Sequence, residues 1–160
     1  MKLIKFIHNA VRLGIYEVGF MKLLWNEVDI WILTAPMSNS TMSVHFDLWY
    51  AKHVAQIVIS STSTSCRRTV VLHEVGHYID YKTVGAYKFI AMASKPIDSI
   101  EQEATAWEHA LRLSRLYNIN INLPTVVQSL ESYGLFDRFE PELLSLETGT
   151  PAINIIGGNC

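Results

Sequence analysis

"VVLHEVGHYID", residues 70–80, carries two histidines four apart, His73 and His77, with Glu74 beside the first. On an α-helix each residue turns about 100°, so the two imidazoles fall about 40° apart on one face and Glu74 sits on its flank. Two neutral imidazoles one turn apart can fill two corners of a tetrahedral Zn²⁺ site, with the glutamate held off the metal but close to a bound water. The metal would bring the water's pKa towards neutrality, and Glu74 would take its proton as it attacks a carbonyl. A pattern of five residues also recurs by chance on helices that merely carry polar side chains. Two local features favour the metal. Gly76 leaves the back of the helix bare, as close approach by another element requires. Val71, Val75, Tyr78 and Ile79 fall away from the histidines and form a stripe that can anchor the helix in a core.

A zinc site needs a third protein ligand and an open position. In "SIEQEATAWEHALRLSRLY", residues 99–117, Glu103 lies at the centre of an apolar stripe. Ile100, Ala104, Trp107 and Leu111 flank it on one side, and Ala106, Ala110, Leu113 and Tyr117 on the other. An unpaired carboxylate there would cost on the order of several kcal/mol, so a cation must face it. A metal held by His73 and His77 supplies one; Arg67 or Arg68 is the alternative partner. Glu101, Glu108 and Arg112 fall on the opposite face, where an i,i+4 pair between Glu108 and Arg112 is expected to be ordinary solvated charge.

The whole chain is consistent with one domain spanning residues 1–160, with 49% hydrophobic and 18% charged residues, which excludes a disordered chain. A net charge of −2 leaves no basic field for a phosphate backbone, so no nucleic-acid partner is expected. The first 25 residues open like a secretory signal, but His8, Asn9, Arg12 and Glu17 interrupt the apolar run. A helix over residues 3–25 packed on its own domain is expected rather than membrane insertion, an amphipathic anchor being the alternative. Cys66 and Cys160 are the only cysteines and read as two unpaired thiols in a reducing cytoplasm. Cys66 reads as a small apolar residue at a helix start, or as a latency thiolate for the zinc.

Strands are expected at 28–35, 43–50 and 54–60, and the hydroxyls of "STSTSC" are expected to cap a helix over 66–83. A loop should follow around Gly85 to Pro96. The longest helix should start with Asp98 or Ser99 as its cap, and Pro124 and Pro141 should each open a shorter one. The tail from 148 to 160 has no helical period and reads as irregular. These elements make an α+β domain: a short mixed sheet, the N-terminal helix, the helix with the histidine pair and the glutamate helix facing it.

"RRTVVLHEVGHYID" followed by "EQEATAWEHA" resembles the zincin metallopeptidases of the glutamate-ligand type, and more narrowly the small ImmA/IrrE peptidase family. The likeness covers residues 54–117, and Glu103 follows His77 by 26 residues, a spacing compatible with that family. The resemblance implies His73, His77 and Glu103 as Zn²⁺ ligands and Glu74 as general base. It also implies a minimal zincin fold, a protein or peptide substrate, and a strand beside the active-site helix that receives the substrate backbone. Where the family has an asparagine or aspartate shortly after the third ligand, this chain has Thr105. The competing function is a non-catalytic module in which the metal staples two helices and a partner protein is bound without being cut.

Asp80 is expected at a solvated helix end, the alternative being a hydrogen bond to a ligand imidazole. Peptide hydrolysis also needs a donor for the carbonyl oxygen as it gains charge. His45, His53, His109, Tyr81 and Tyr133 are all candidates, and the sequence does not choose among them.

Overall fold

The computed structural model describes residues 21–25, 28–117 and 119–149, and these form an α+β structure with a four-stranded sheet and five helices. The strands are β1 (Met21–Trp25), β2 (Val28–Ala35), β3 (Thr41–Asp47) and β4 (Lys52–Ser60). The helices are α1 (Arg67–Val84), α2 (Ala86–Ala93), α3 (Pro96–Tyr117), α4 (Leu123–Ser132) and α5 (Phe136–Gly149).

The sheet is mixed, in the order β1-β2-β4-β3. β2 runs parallel to β4, with Ile32 opposite Ile57, while β1 and β3 pair antiparallel with β2 and β4. β4 is therefore interior, and its run "VAQIVIS" is buried on both faces: Ala55, Ile57 and Ile59 join the helical core, and Val54 and Val58 are buried on the other side. The expected helix over 3–25 is corrected at its end. Residues 21–25 are a strand, because pairing with β2 satisfies a backbone whose local pattern is ambiguous; residues 1–20 lie outside the described residues.

Other features differ from expectation. β3 stops at Asp47, whose Oδ1 accepts the backbone N–H groups of Trp49 and Tyr50 and turns the chain, leaving Leu48, Trp49 and Tyr50 exposed. The hydroxyls before α1 build a turn rather than a cap: Ser60 Oγ accepts from Ser63 N, and the N-cap Cys66 makes no side-chain cap bond. Residues 86–93 are a helix, not a loop, with Phe89 buried beneath it and Gln102 Nε2 of α3 donating to the Phe89 carbonyl. Pro141 lies inside α5 instead of opening it, since buried Phe139 and Leu143 hold the helix on both sides of the missing donor. α3 begins at Pro96, so Asp98 lies in its first turn rather than capping it, while Pro124 sits at the start of α4 as expected. The first residues of the 148–160 tail continue α5 as far as Gly149, and the remainder lies outside the described residues.

Cys66 is buried and disulfide-bonded, which corrects the reading of two free thiols and removes Cys66 as a zinc-reaching thiolate. Cys160, the other cysteine of the chain, lies outside the described residues. No helix among the described residues is long and apolar enough to cross a membrane.

α1 lies against the sheet through Val71, Leu72, Val75 and Tyr78, all in one cluster with Ala55, Ile57 and Ile59. Its other side meets α3 at Gly76. A Cβ added there would overlap the carbonyl oxygen of Ala106 and sit 2.9 Å from its carbonyl carbon, so only glycine permits this approach. Gly76→Ala should destabilise the protein by about 1–3 kcal/mol from overpacking, although alanine favours an isolated helix by about 1 kcal/mol. Urea unfolding measures this, and a variant as stable as the parent would show that the two backbones do not meet.

Candidate metal centre

α1 and α3 bring three ligand-type side chains together. One nitrogen each from His73 and His77 and one oxygen from Glu103 lie within 4.8 Å of one another, and no other such group of three or more occurs among the described residues. His73 Nε2 is 3.1 Å from Glu103 Oε2, and His77 Nε2 is 3.4 Å from Glu103 Oε1. Helical spacing sets the histidine pair, whose rings meet edge to face at 4.7 Å. The Gly76–Ala106 contact brings Glu103, one turn before Ala106, level with them. Glu103 thus meets the two histidines, and the alternative of an arginine partner falls away: the Arg67 guanidinium donates to the Ser61 carbonyl.

The polar atoms of this group are short of partners. His73 Nε2 and Glu103 Oε2 are buried without an aligned hydrogen bond despite their separation, as is Glu74 Oε2. Buried polar atoms in folded proteins are nearly always satisfied, so convergent ligand-type atoms without hydrogen bonds fit a group that could hold a cation. Two imidazole nitrogens and one carboxylate oxygen form a donor set suited to a divalent metal ion with an open position. Glu74 is buried beside the pair, its Oε1 3.6 Å from His73 Nδ1, and does not belong to the ligand group.

Charge follows the same geometry. Burial lowers the pKa of His73, yet contact with the carboxylates of Glu103 and Glu74 more than offsets it and holds the imidazole at about 9. Burial raises Glu103, but the two histidines outweigh it and hold the carboxyl at about 2. Asp80 is only 6% exposed, with Oδ2 unpartnered, which corrects the expectation of a solvated helix end. Burial raises its pKa against the opposing charges of His109, His77 and Lys88.

Trp107 has a role that its place in the apolar stripe did not reveal. Its ring stacks on His73 with centroids 4.4 Å apart and planes 24° apart, which fixes the imidazole. The signal was present, since Trp107 lies one turn beyond Glu103 on the same face. Thr105 offers no such support, as its hydroxyl donates back to the Glu101 carbonyl. Ile100, expected in the stripe, is 39% exposed, and Glu108 pairs with Arg138 of α5 at 2.8 Å rather than with Arg112. The Tyr117 side chain lies outside the described residues.

Of the five candidate donors, His45 is exposed on β3, and His53 lies between the rings of Phe46 and Tyr87. His109 faces Asp80, and Tyr81 packs against Phe89. Tyr133 is half-buried, and burial and the charges of Glu103 and Glu74 push its phenol up to about 12.

The chain matches no protein-family model, no curated protein and no solved structure. The capacity of His73, His77 and Glu103 to hold a metal ion therefore rests on their geometry.

Without metal, the His73 imidazole is raised above its ordinary 6.5, so its contribution to stability is complete below pH 6.5 and lost as pH rises through about 9. Glu103 is lowered from 4.5, so its contribution is complete above pH 4.5 and lost as pH falls through about 2. Thermal unfolding in chelator should show this pair contributing most between those limits. A metal needs the neutral imidazole, so zinc uptake at pH 7 should release about one proton, read by calorimetry in buffers of different ionisation enthalpy. Glu103→Ala should lose stoichiometric zinc; unchanged zinc content would remove Glu103 from the ligand set.

Proposed function

We propose that this protein is a zinc-dependent metallopeptidase of the glutamate-ligand zincin type, akin to the ImmA/IrrE peptidases, that hydrolyses a peptide bond in a protein or peptide substrate. The observation that carries this reading is the convergence of His73, His77 and Glu103 with buried Glu74 beside them. Zinc held by those three residues would polarise the scissile carbonyl and lower the pKa of the attacking water.

The rest of the chemistry belongs to the chain. Glu74 Oε2 is buried and unpartnered, so it is free to accept the proton of the attacking water and pass it to the leaving amine. Trp107 and Glu103 hold His73 in one orientation, which keeps the reacting groups from drifting. Among the described residues β3 pairs only with β4, so its other edge is open to an extended substrate backbone; β4 has strands on both sides and cannot take that part.

A metal that only stapled α1 to α3 would be closed by a fourth protein ligand. Among the described residues the group has three members, which favours the enzyme over the binding module. Glu74→Gln should keep zinc and fold while lowering kcat on a denatured protein substrate by about 10²–10⁴-fold. Full turnover in that variant would remove Glu74 as the base.

A further inference from the structure

Leu48, Trp49 and Tyr50 lie in the turn between β3 and β4, and its apex is uncovered: Trp49 is 94% exposed and Leu48 86%. The turn is nonetheless built. Asp47 Oδ1 accepts the N–H groups of Trp49 and Tyr50, Ala51 takes φ +49°, and the strands close beneath with Phe46 opposite His53 and Asp47 opposite Lys52. The His53 ring lies edge to face between those of Phe46 and Tyr87, at 5.3 and 5.1 Å, which fastens the turn to the start of α2. On α2, Tyr87 and Ile90 share the outer side and are exposed, while Phe89 is buried. Phe46, Leu48, Trp49, Tyr50, Tyr87 and Ile90 thus form one apolar, mostly aromatic surface drawn from two elements. Apolar residues exposed singly are ordinary, but a contiguous surface of them marks a place of interaction.

Charge selects the occupant. From Thr41 to Ile97 every exposed charged side chain is a lysine: Lys52, Lys82, Lys88 and Lys95. The acids of that span are withdrawn, Asp47 being turned onto the backbone and Glu74 and Asp80 buried. Lys52 Nζ lies 5.4 Å from the centre of the Tyr50 ring, Lys88 follows Tyr87, and Lys95 is the one of the four that meets a carboxylate, Asp98, at 3.8 Å. We infer that this surface docks the protein on an anionic lipid bilayer, with Leu48 and Trp49 entering the interface and the lysines meeting the headgroups. Tryptophan and tyrosine favour that depth because each pairs an apolar ring with one polar end, and lysines beside an anionic leaflet gain from its surface potential. A protein partner fits less well. Protein interface cores are depleted in lysine and need about 800 Å² of matched surface on each side, whereas a turn apex offers little area and suits a fluid that closes around it.

The turn is already fixed before docking, so little ordering remains to oppose it. The contact is peripheral, since no helix among the described residues is long and apolar enough to cross a membrane. Tyr87 and Phe89 fall on opposite sides of α2, and Phe89 approaches His77 with ring centroids 6.4 Å apart. The histidine pair therefore lies about one helix diameter, about 10 Å, behind the docking surface. A bilayer held there keeps the His73, His77 and Glu103 group close to the headgroups.

The test is flotation of the full chain with vesicles of phosphatidylcholine alone or with about one third phosphatidylserine, as wild type and as Leu48→Ser combined with Trp49→Ser. Wild type should float with the anionic vesicles, binding them about tenfold or more tightly than neutral ones. Raising the salt from about 0.1 M to about 1 M should weaken that binding, as the screening length falls from about 10 Å to about 3 Å. The double variant should bind anionic vesicles about tenfold or more weakly than wild type while keeping its circular dichroism and zinc uptake, because both changed side chains lie in water. Wild type that floats with neither composition would overturn the inference. Equal flotation of variant and wild type would overturn it too, by placing the lipid contact elsewhere in the chain. So would wild type that fails to float but sediments as a dimer which the variant does not form, because the surface would then belong to a second copy.

Discussion

The backbone of α3 at Ala106 occupies the space that any side chain at position 76 of α1 would need, and the metal group is arranged around that contact. Gly76 lies between Glu74 and His77, so the point of closest approach falls within the turn that carries the histidine pair. Ala106 lies one turn after Glu103, which puts the carboxylate opposite the imidazoles. Small residues continue along the same helix, with Ala104 and Ala110 fully buried, and Trp107 fills the space beside His73. A wider crossing would leave Glu103 too far from both imidazoles for one ion to join them, because ligand distances to zinc are about 2 Å and tolerate little slack.

Bringing these groups together carries an electrostatic cost that the protein alone only partly offsets. Glu74 and the histidines are buried and the Glu103 side chain is 16% exposed, yet three polar atoms at the centre lack aligned hydrogen bonds. Metal-free, the His73 imidazole is held in its charged form by two carboxylates, an ion pair that a divalent cation would replace. Local stability is given up here for a group of side chains that could hold a metal ion.

The surrounding elements hold the rim. α2 is fastened to α3 by the Gln102 bond to the Phe89 carbonyl, and Phe89 approaches His77 with ring centroids 6.4 Å apart. α5 is held to the outer face of α3 by Arg138, which reaches both Glu101 and Glu108. These exposed pairs add little energy, and the buried Phe139 and Leu143 do most of the anchoring.

Much of this was legible in the residues themselves. The α-helical period puts His73 and His77 on one face whatever surrounds them, and a carboxylate set in an apolar stripe demands a cation, so the convergence of Glu103 with the two histidines followed from spacing and the cost of burial. The strand at 28–35 and the helix around the histidines followed from local pattern in the same way. Other features depend on contacts between segments distant in sequence, which no local period records. The Trp107 stack, the strand at 21–25 and the helix at 86–93 are of this kind. Each is set by which surfaces meet once the chain is packed: pairing with β2 turns an ambiguous apolar run into a strand, and the close approach of α3 to α1 lays Trp107 on His73.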